Sequence, residues 1–142
     1  MNFGVEIPFV SHLGFELVEM EGGHSQLRFV PRPEHLNSFG VAHGGAIMTL
    51  LDVTLATAAR SVELGIGVVT IEMKTTFMQP CKGVLTGKGT LMHRTRSMAF
   101  TQGTIHDSEG KVCAHATATF KYVKRQPTGP AGSEARGVIS TD

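Results

Sequence analysis

The hydrophobic pattern changes period twice along the chain. Over residues 15–21 and 25–30 apolar and polar side chains alternate, with Gly22-Gly23 between the two runs. Alternation with period two marks half-buried strands, and a glycine pair between them marks a tight hairpin. Before them, residues 5–13 hold Pro8 near the start and Gly14 just past the end, as a short helix does. Residues 31–39, with two prolines, Asn37 and Ser38, predict a loop. Over residues 44–64 the period becomes helical: Ile47, Leu51, Leu55, Ala58 and Val62 recur on one face. Ala46, Met48, Leu50, Val53, Ala56 and Ala59 fill much of the remaining circumference, which predicts a buried helix that Gly65 and Gly67 bring to an end. The period then returns to two over residues 68–78, 84–93, 98–106 and 111–122. In the first of these, alternation puts Val69, Ile71, Met73, Thr75 and Phe77 on one face and Thr70 on the other. Asp107-Ser108-Glu109-Gly110 marks the turn before the last strand. Beyond Arg125 the run Gln-Pro-Thr-Gly-Pro-Ala-Gly-Ser has no period. The expected organisation is one domain over residues 1–125 and a disordered tail over 126–142. A hairpin, one long helix and four further antiparallel strands make an α+β fold. One helix cannot cover a flat sheet of about six strands, so the sheet is expected to curl around it.

Composition narrows the function classes. A chain of 142 residues is one domain. Charged residues are 18%, below the roughly 25% of an average globular domain, which points to apolar surface covered by another subunit. The net charge of +1 argues against a nucleic-acid partner. No stretch is long and apolar enough for a membrane span. The two cysteines, Cys81 and Cys113, form no C-x-x-C pair, and the N-terminus lacks the pattern of a secretory signal. A cytoplasmic protein is expected.

Candidate chemistry is concentrated in Asn37-Ser38-Phe39-Gly40-Val41-Ala42-His43-Gly44-Gly45 and the helix that follows. Asp52 is the only acidic residue between His43 and Arg60. A carboxylate on a helix apolar on nearly all sides is costly to bury without a partner. The first N–H groups of a helix point outward unpaired, and the helix dipole adds partial positive charge there. Gly44 and Gly45 would let a carbonyl oxygen approach that end closely and accumulate negative charge. Asp52, two turns further on, could activate water or attack directly. Asn37 offers an amide that both donates and accepts. His12, His24, His35, His106 and His115 show no zinc-type spacing, so no metal is expected.

The pattern Asn37-x-x-Gly40-x-x-His43-Gly44-Gly45, then Thr49-Leu50-x-Asp52, resembles the PaaI-type acyl-CoA thioesterases of the hotdog superfamily. The resemblance extends from about Ile7 to Lys124 and includes Pro8-Phe9, Leu13-Gly14 and Thr76-Phe77-Met78-Gln79-Pro80. It implies a hotdog fold, an antiparallel sheet around one long helix, in subunits that join edge to edge as a dimer or dimer of dimers with active sites between subunits. It implies Asp52 as nucleophile or general base, the Gly44 amide as the group polarising the thioester carbonyl, and His43 and Asn37 as orienting groups. Thr70 matches a strand hydroxyl contributed by the partner subunit. Arg94 and Arg96, in the turn His93-Arg94-Thr95-Arg96-Ser97, match the region where relatives hold CoA phosphates. No cofactor is needed, since thiolate is a good leaving group and a carboxylate with amide donors suffices. Phe39, Met48, Met73, Phe77 and Met78 could line a pocket for an aryl or medium-chain acyl group.

Two other readings remain open. A hotdog hydratase or dehydratase of acyl thioesters would carry another acid–base pairing, and no Asp is followed five residues later by His. Release of thiol from a saturated acyl-CoA separates the two. A non-catalytic acyl-CoA-binding protein would need no carboxylate, and would bind without turnover.

Overall fold

The computed structural model describes residues 1–127 and 137–140. A short helix α1 (Pro8–Leu13) precedes the hairpin β1 (Glu16–Glu21) and β2 (His24–Phe29), followed by the long helix α2 (Gly44–Arg60). Then come β3 (Gly67–Phe77), β4 (Leu85–Arg94), β5 (Met98–His106), β6 (Val112–Pro127) and β7 (Gly137–Ser140). The strands lie in the order β1-β2-β4-β5-β6-β3, every neighbour antiparallel. The sheet wraps α2, which touches β1 through β6. This is the α+β architecture expected, with six strands around one helix.

Of the tail expected over 126–142, residues 128–136, 141 and 142 lie outside the described residues. Gln126 and Pro127 continue β6, and β7 returns to pair with residues 124–127. Among the described residues no helix is long and apolar enough to cross a membrane.

Leu27, Phe29, Ile47, Leu50, Leu51, Leu55, Leu85, Ile105 and Phe120 are fully buried between helix and sheet. Glycines let α2 come unusually close to β4 and β5. A Cβ at Gly103 would stand 2.5 Å from the Lys88 carbonyl and 2.7 Å from Leu55 Cδ2, and one at Gly89 would stand 3.0 Å from the Thr54 carbonyl. Only glycine fits under the helix there.

Two expectations need correction. α2 ends at Arg60, four residues before the predicted end. The Ser61 hydroxyl donates to the Ala58 carbonyl at 2.7 Å and accepts the Gly23 N–H at 2.7 Å. The hairpin turn therefore captures the helix end, and Val62 lies beyond it. The second correction concerns β3. A bulge at Ile71 shifts the register between Thr70 and Glu72. Thr70 thus pairs with Phe120, Met73 with Ala118, Thr75 with Ala116 and Phe77 with Ala114. Those β6 partners are buried, and directly paired side chains share a face. Thr70 therefore lies on the helix side with Met73, Thr75 and Phe77, while Ile71 is 53% exposed. One inserted residue reverses the alternation on either side of it.

Candidate active site

The loop before α2 is held at both ends. Leu36 bridges to Ala42, the Asn37 N–H donates to the Val41 carbonyl at 2.8 Å, and the His43 N–H donates to the His35 carbonyl at 2.8 Å. Asn37 Oδ1 accepts the N–H groups of Phe39 at 2.9 Å and Val41 at 3.3 Å. Its acceptor is therefore committed to the loop. The carboxamide NH2 is what remains for a ligand, so Asn37 offers a donor rather than both functions.

His43 is the N-cap of α2, and its Nδ1 accepts the Gly45 N–H at 2.8 Å. In the neutral ring the proton therefore sits on Nε2, which is presented as a donor. Gly44 occupies the first helical position, where an N–H has no partner within the helix. Asn37 and Gly44 both line a cavity of about 590 Å³, with Phe39, Val41, Phe77 and Met78 among its apolar walls. Its size falls in the usual range for small-molecule sites. Of the residues expected to line an acyl pocket, Phe39, Phe77 and Met78 line this cavity; Met48 and Met73 are not among its walls. Lys82 also lines it and was not anticipated. It lies two residues beyond Pro80, and no motif in the sequence marks it as a site residue.

Asp52 is half-buried on the side of α2 that faces β3, where Thr70 Oγ1 donates to its Oδ1 at 2.7 Å. Burial raises the Asp52 carboxyl above its ordinary pKa, and the Thr70 hydrogen bond pulls it part of the way back. The hydroxyl on Asp52 is thus this chain's own. The β3 bulge turns Thr70 toward its own helix, so the hydroxyl accompanies this chain's Asp52 into whichever site that carboxylate serves.

Arg94 and Arg96 are not brought to Asp52 or Gly44. Arg94 Nη1 lies 3.4 Å from Glu63, and its guanidinium stacks 4.2 Å over the Tyr122 ring. The Tyr122 hydroxyl in turn donates to the Ala59 carbonyl at 2.7 Å, near the opposite end of α2 from Gly44. Arg96 is exposed in the turn. Cys81 and Cys113, distant in sequence, are neighbouring free thiols whose pKa values burial raises, which makes them poor nucleophiles.

Comparison with known proteins bears on the family and the fold. The family model of the thioesterase superfamily matches residues 39–114, the stretch that contains His43, Gly44, Asp52 and Thr70. A candidate esterase of Saccharolobus solfataricus is 29% identical over 114 residues, 80% of this chain and 81% of the relative. The fold matches a conserved protein of Pseudomonas aeruginosa with a TM-score of 0.79 at 23% identity, covering 84% of this chain and 96% of that one. It matches the PaaI protein from the phenylacetic acid degradation operon of E. coli with a TM-score of 0.76 at 20% identity, covering 82% and 84%. These structures carry the hotdog fold that the motif pattern implied. With more than half of the chain under the family model and the helix-start and carboxylate residues inside the matched stretch, the chain belongs to the thioesterase superfamily, whose enzymes hydrolyse acyl thioesters.

Proposed function

We propose that this chain hydrolyses acyl-CoA thioesters with Asp52 as the catalytic carboxylate, in sites assembled between two copies. The observation that carries the reading is the half-buried Asp52, held by Thr70 and raised in basicity by burial. With Oδ1 held by Thr70, Oδ2 takes a proton from water as the oxygen attacks the thioester carbonyl carbon. The Gly44 N–H stabilises the oxyanion of the tetrahedral intermediate. The carbon–sulfur bond then breaks, the departing CoA thiolate takes the proton from Asp52, and the acid is released with the carboxylate restored. Direct attack by Asp52 on the carbonyl is the other route open to the same oxygen. Asn37 and His43 each present a donor that orients the thioester or the water. The apolar cavity at Gly44 suits an aryl or medium-chain acyl group. Arg96 is the better placed arginine for CoA phosphates, because Arg94 is engaged with Glu63 and Tyr122.

Helix geometry supports the reading of a site shared between two copies. Gly44 and Asp52 are eight residues apart on one helix, so at 1.5 Å per residue they stand about 12 Å apart along its axis. A single carbonyl with its attacking water spans roughly 3 Å. Each chain therefore supplies the amide of one site and the carboxylate of another. β3 is the edge of the described sheet beside α2, with Ile71 and Phe77 about half exposed, and offers the pairing surface.

The test is thiol release over a panel of aryl and saturated aliphatic acyl-CoAs, with two variants and their mixture. Asp52→Asn removes the base. Gly44→Pro removes the amide donor, and proline is tolerated at the first helical position after an extended His43 (φ −61°, ψ 141°). Each variant alone is inactive. In subunit-exchanged mixtures each hybrid dimer regains one intact site of two, so an equal mixture recovers about a quarter of wild-type activity. Absence of any recovery after verified exchange overturns the shared site.

A further inference from the structure

A second cavity, of about 300 Å³, lies at the C-terminal end of α2 and is lined by Arg60, Arg125, Phe3, Val5, Met20 and Leu64 among others. It is remote from the hydrolytic site, at the other end of the helix from Gly44. Arg60 is only 6% exposed. Its Nε donates to the Ile66 carbonyl at 3.3 Å and one Nη donates to the Phe3 carbonyl at 2.9 Å. A guanidinium carries five N–H donors, so most of the Arg60 fork is left over. Arg125 Nε is fully buried and has no hydrogen-bond partner among the described residues. Gly67 makes room for it: a Cβ there would stand 3.4 Å from Arg125 Cζ and Nε. The ion pairs among the described residues involve Arg28, Arg32, Arg94 and Lys111, and neither of these two arginines. The two cations also disfavour one another: burial first, then the charge of Arg125, lowers the Arg60 pKa.

Two guanidiniums, one buried and one partly buried, that share a cavity with no carboxylate among its described walls are costly. A buried donor without an acceptor calls for a missing partner. We propose that this cavity binds a small organic anion, a carboxylate on an apolar body, with the carboxylate between Arg60 and Arg125 and the body against Phe3, Val5, Met20 and Leu64. The planar fork of arginine matches a carboxylate, and the walls exclude a purely hydrophilic ion as the best fit. At the ~30 Å³ that a water occupies in the liquid, the cavity holds about ten such groups, enough for a molecule of benzoate size. The proposal stands apart from the Asp52 reading, and its failure would leave that reading untouched.

Calorimetric titration of the full-length protein with benzoate tests it, at constant ionic strength and beside acetate. Wild type is expected to take up one benzoate per chain more than Arg125→Gln, whatever the hydrolytic site itself accepts. Arg125→Lys, which restores charge without the fork, should recover part of that uptake. At this site benzoate should bind at least tenfold more tightly than acetate. Equal stoichiometry and affinity in wild type and Arg125→Gln would overturn the site, as would the absence of saturable binding in wild type. Equal affinity for acetate and benzoate would overturn the apolar-bodied ligand.

Discussion

The two faces of α2 treat polar groups in opposite ways. On the face packed against β4 and β5, Thr54 is fully buried, and its hydroxyl donates to the Leu50 carbonyl at 2.6 Å. Its carbonyl accepts the Ser25 hydroxyl at 2.6 Å. Glycines at 87, 89 and 103 let the backbones meet, and among the described residues no buried side-chain polar atom of this face lacks a partner. On the face toward β3, Asp52 is held by one hydrogen bond, Met48 is 39% exposed, and the cavity opens beside Gly44. One helix thus carries a closed face that fixes the fold and an open face that bears the proposed catalytic carboxylate. The difference teaches where each kind of damage should appear: activity on the open face, stability on the closed one.

The largest effects should come from the open face. Asp52→Asn is expected to lower kcat by about 10²- to 10⁴-fold, the usual worth of a positioned general base. The same variant should melt higher than wild type at neutral pH. The folded protein holds the Asp52 proton more tightly than the unfolded chain does, because burial raises the carboxyl above its ordinary 3.8. Wild-type stability therefore falls as pH rises from near 3.8 through the raised folded value, and stays lower above it. Asn removes that ionisation. Activity lost together with stability would contradict the contrast between the faces. Gly44→Pro comes next, with an expected loss of about 10²- to 10³-fold for one oxyanion donor and a circular dichroism spectrum close to wild type.

The closed face should answer in stability alone. At Gly103 the nearest atom to an added Cβ is a backbone oxygen at 2.5 Å, which no rotamer change can relieve. Gly103→Ala should cost about 1–3 kcal/mol of folding free energy by overpacking, read as a lower urea midpoint. The folded fraction should turn over at the wild-type rate. A large fall in activity per folded molecule would mean that the two faces are mechanically coupled.

These expectations rest unevenly on what the chain discloses before folding. The period changes locate the hairpin, the helix and the later strands to within a few residues. The isolated Asp52 and the glycines at 44 and 45 single out the helix that carries the proposed site, because a charge and two helix-breaking residues are conspicuous in an apolar run. What alternation could not disclose is the bulge at Ile71, since an inserted residue leaves no mark in a pattern of period two. That single irregularity decides which way Thr70 faces. The helix end was likewise hidden, because the Gly23 N–H that captures Ser61 comes from 38 residues away. The commitment of Asn37 Oδ1 to its own loop also depends on a closed turn that residue identities do not specify.

The finest test of the contrast lies in that Thr70 contact. Thr70→Val keeps the shape and removes the hydroxyl that stabilises the Asp52 carboxylate. Of the two influences on Asp52, burial remains and the hydrogen bond that opposed it is gone, so the carboxyl pKa rises further. The base works ionised, so the acidic limb of the kcat/KM profile should move to higher pH while the rate well above that limb changes little. Thr54→Val on the closed face provides the control. It also deletes a helix-facing hydroxyl, but one that bonds only to its own helix backbone and to no titrating group. Its pH profile should superimpose on wild type. If both variants moved the limb equally, the shift would report general loosening of α2, and the open face would lose its claim to a distinct electrostatic role.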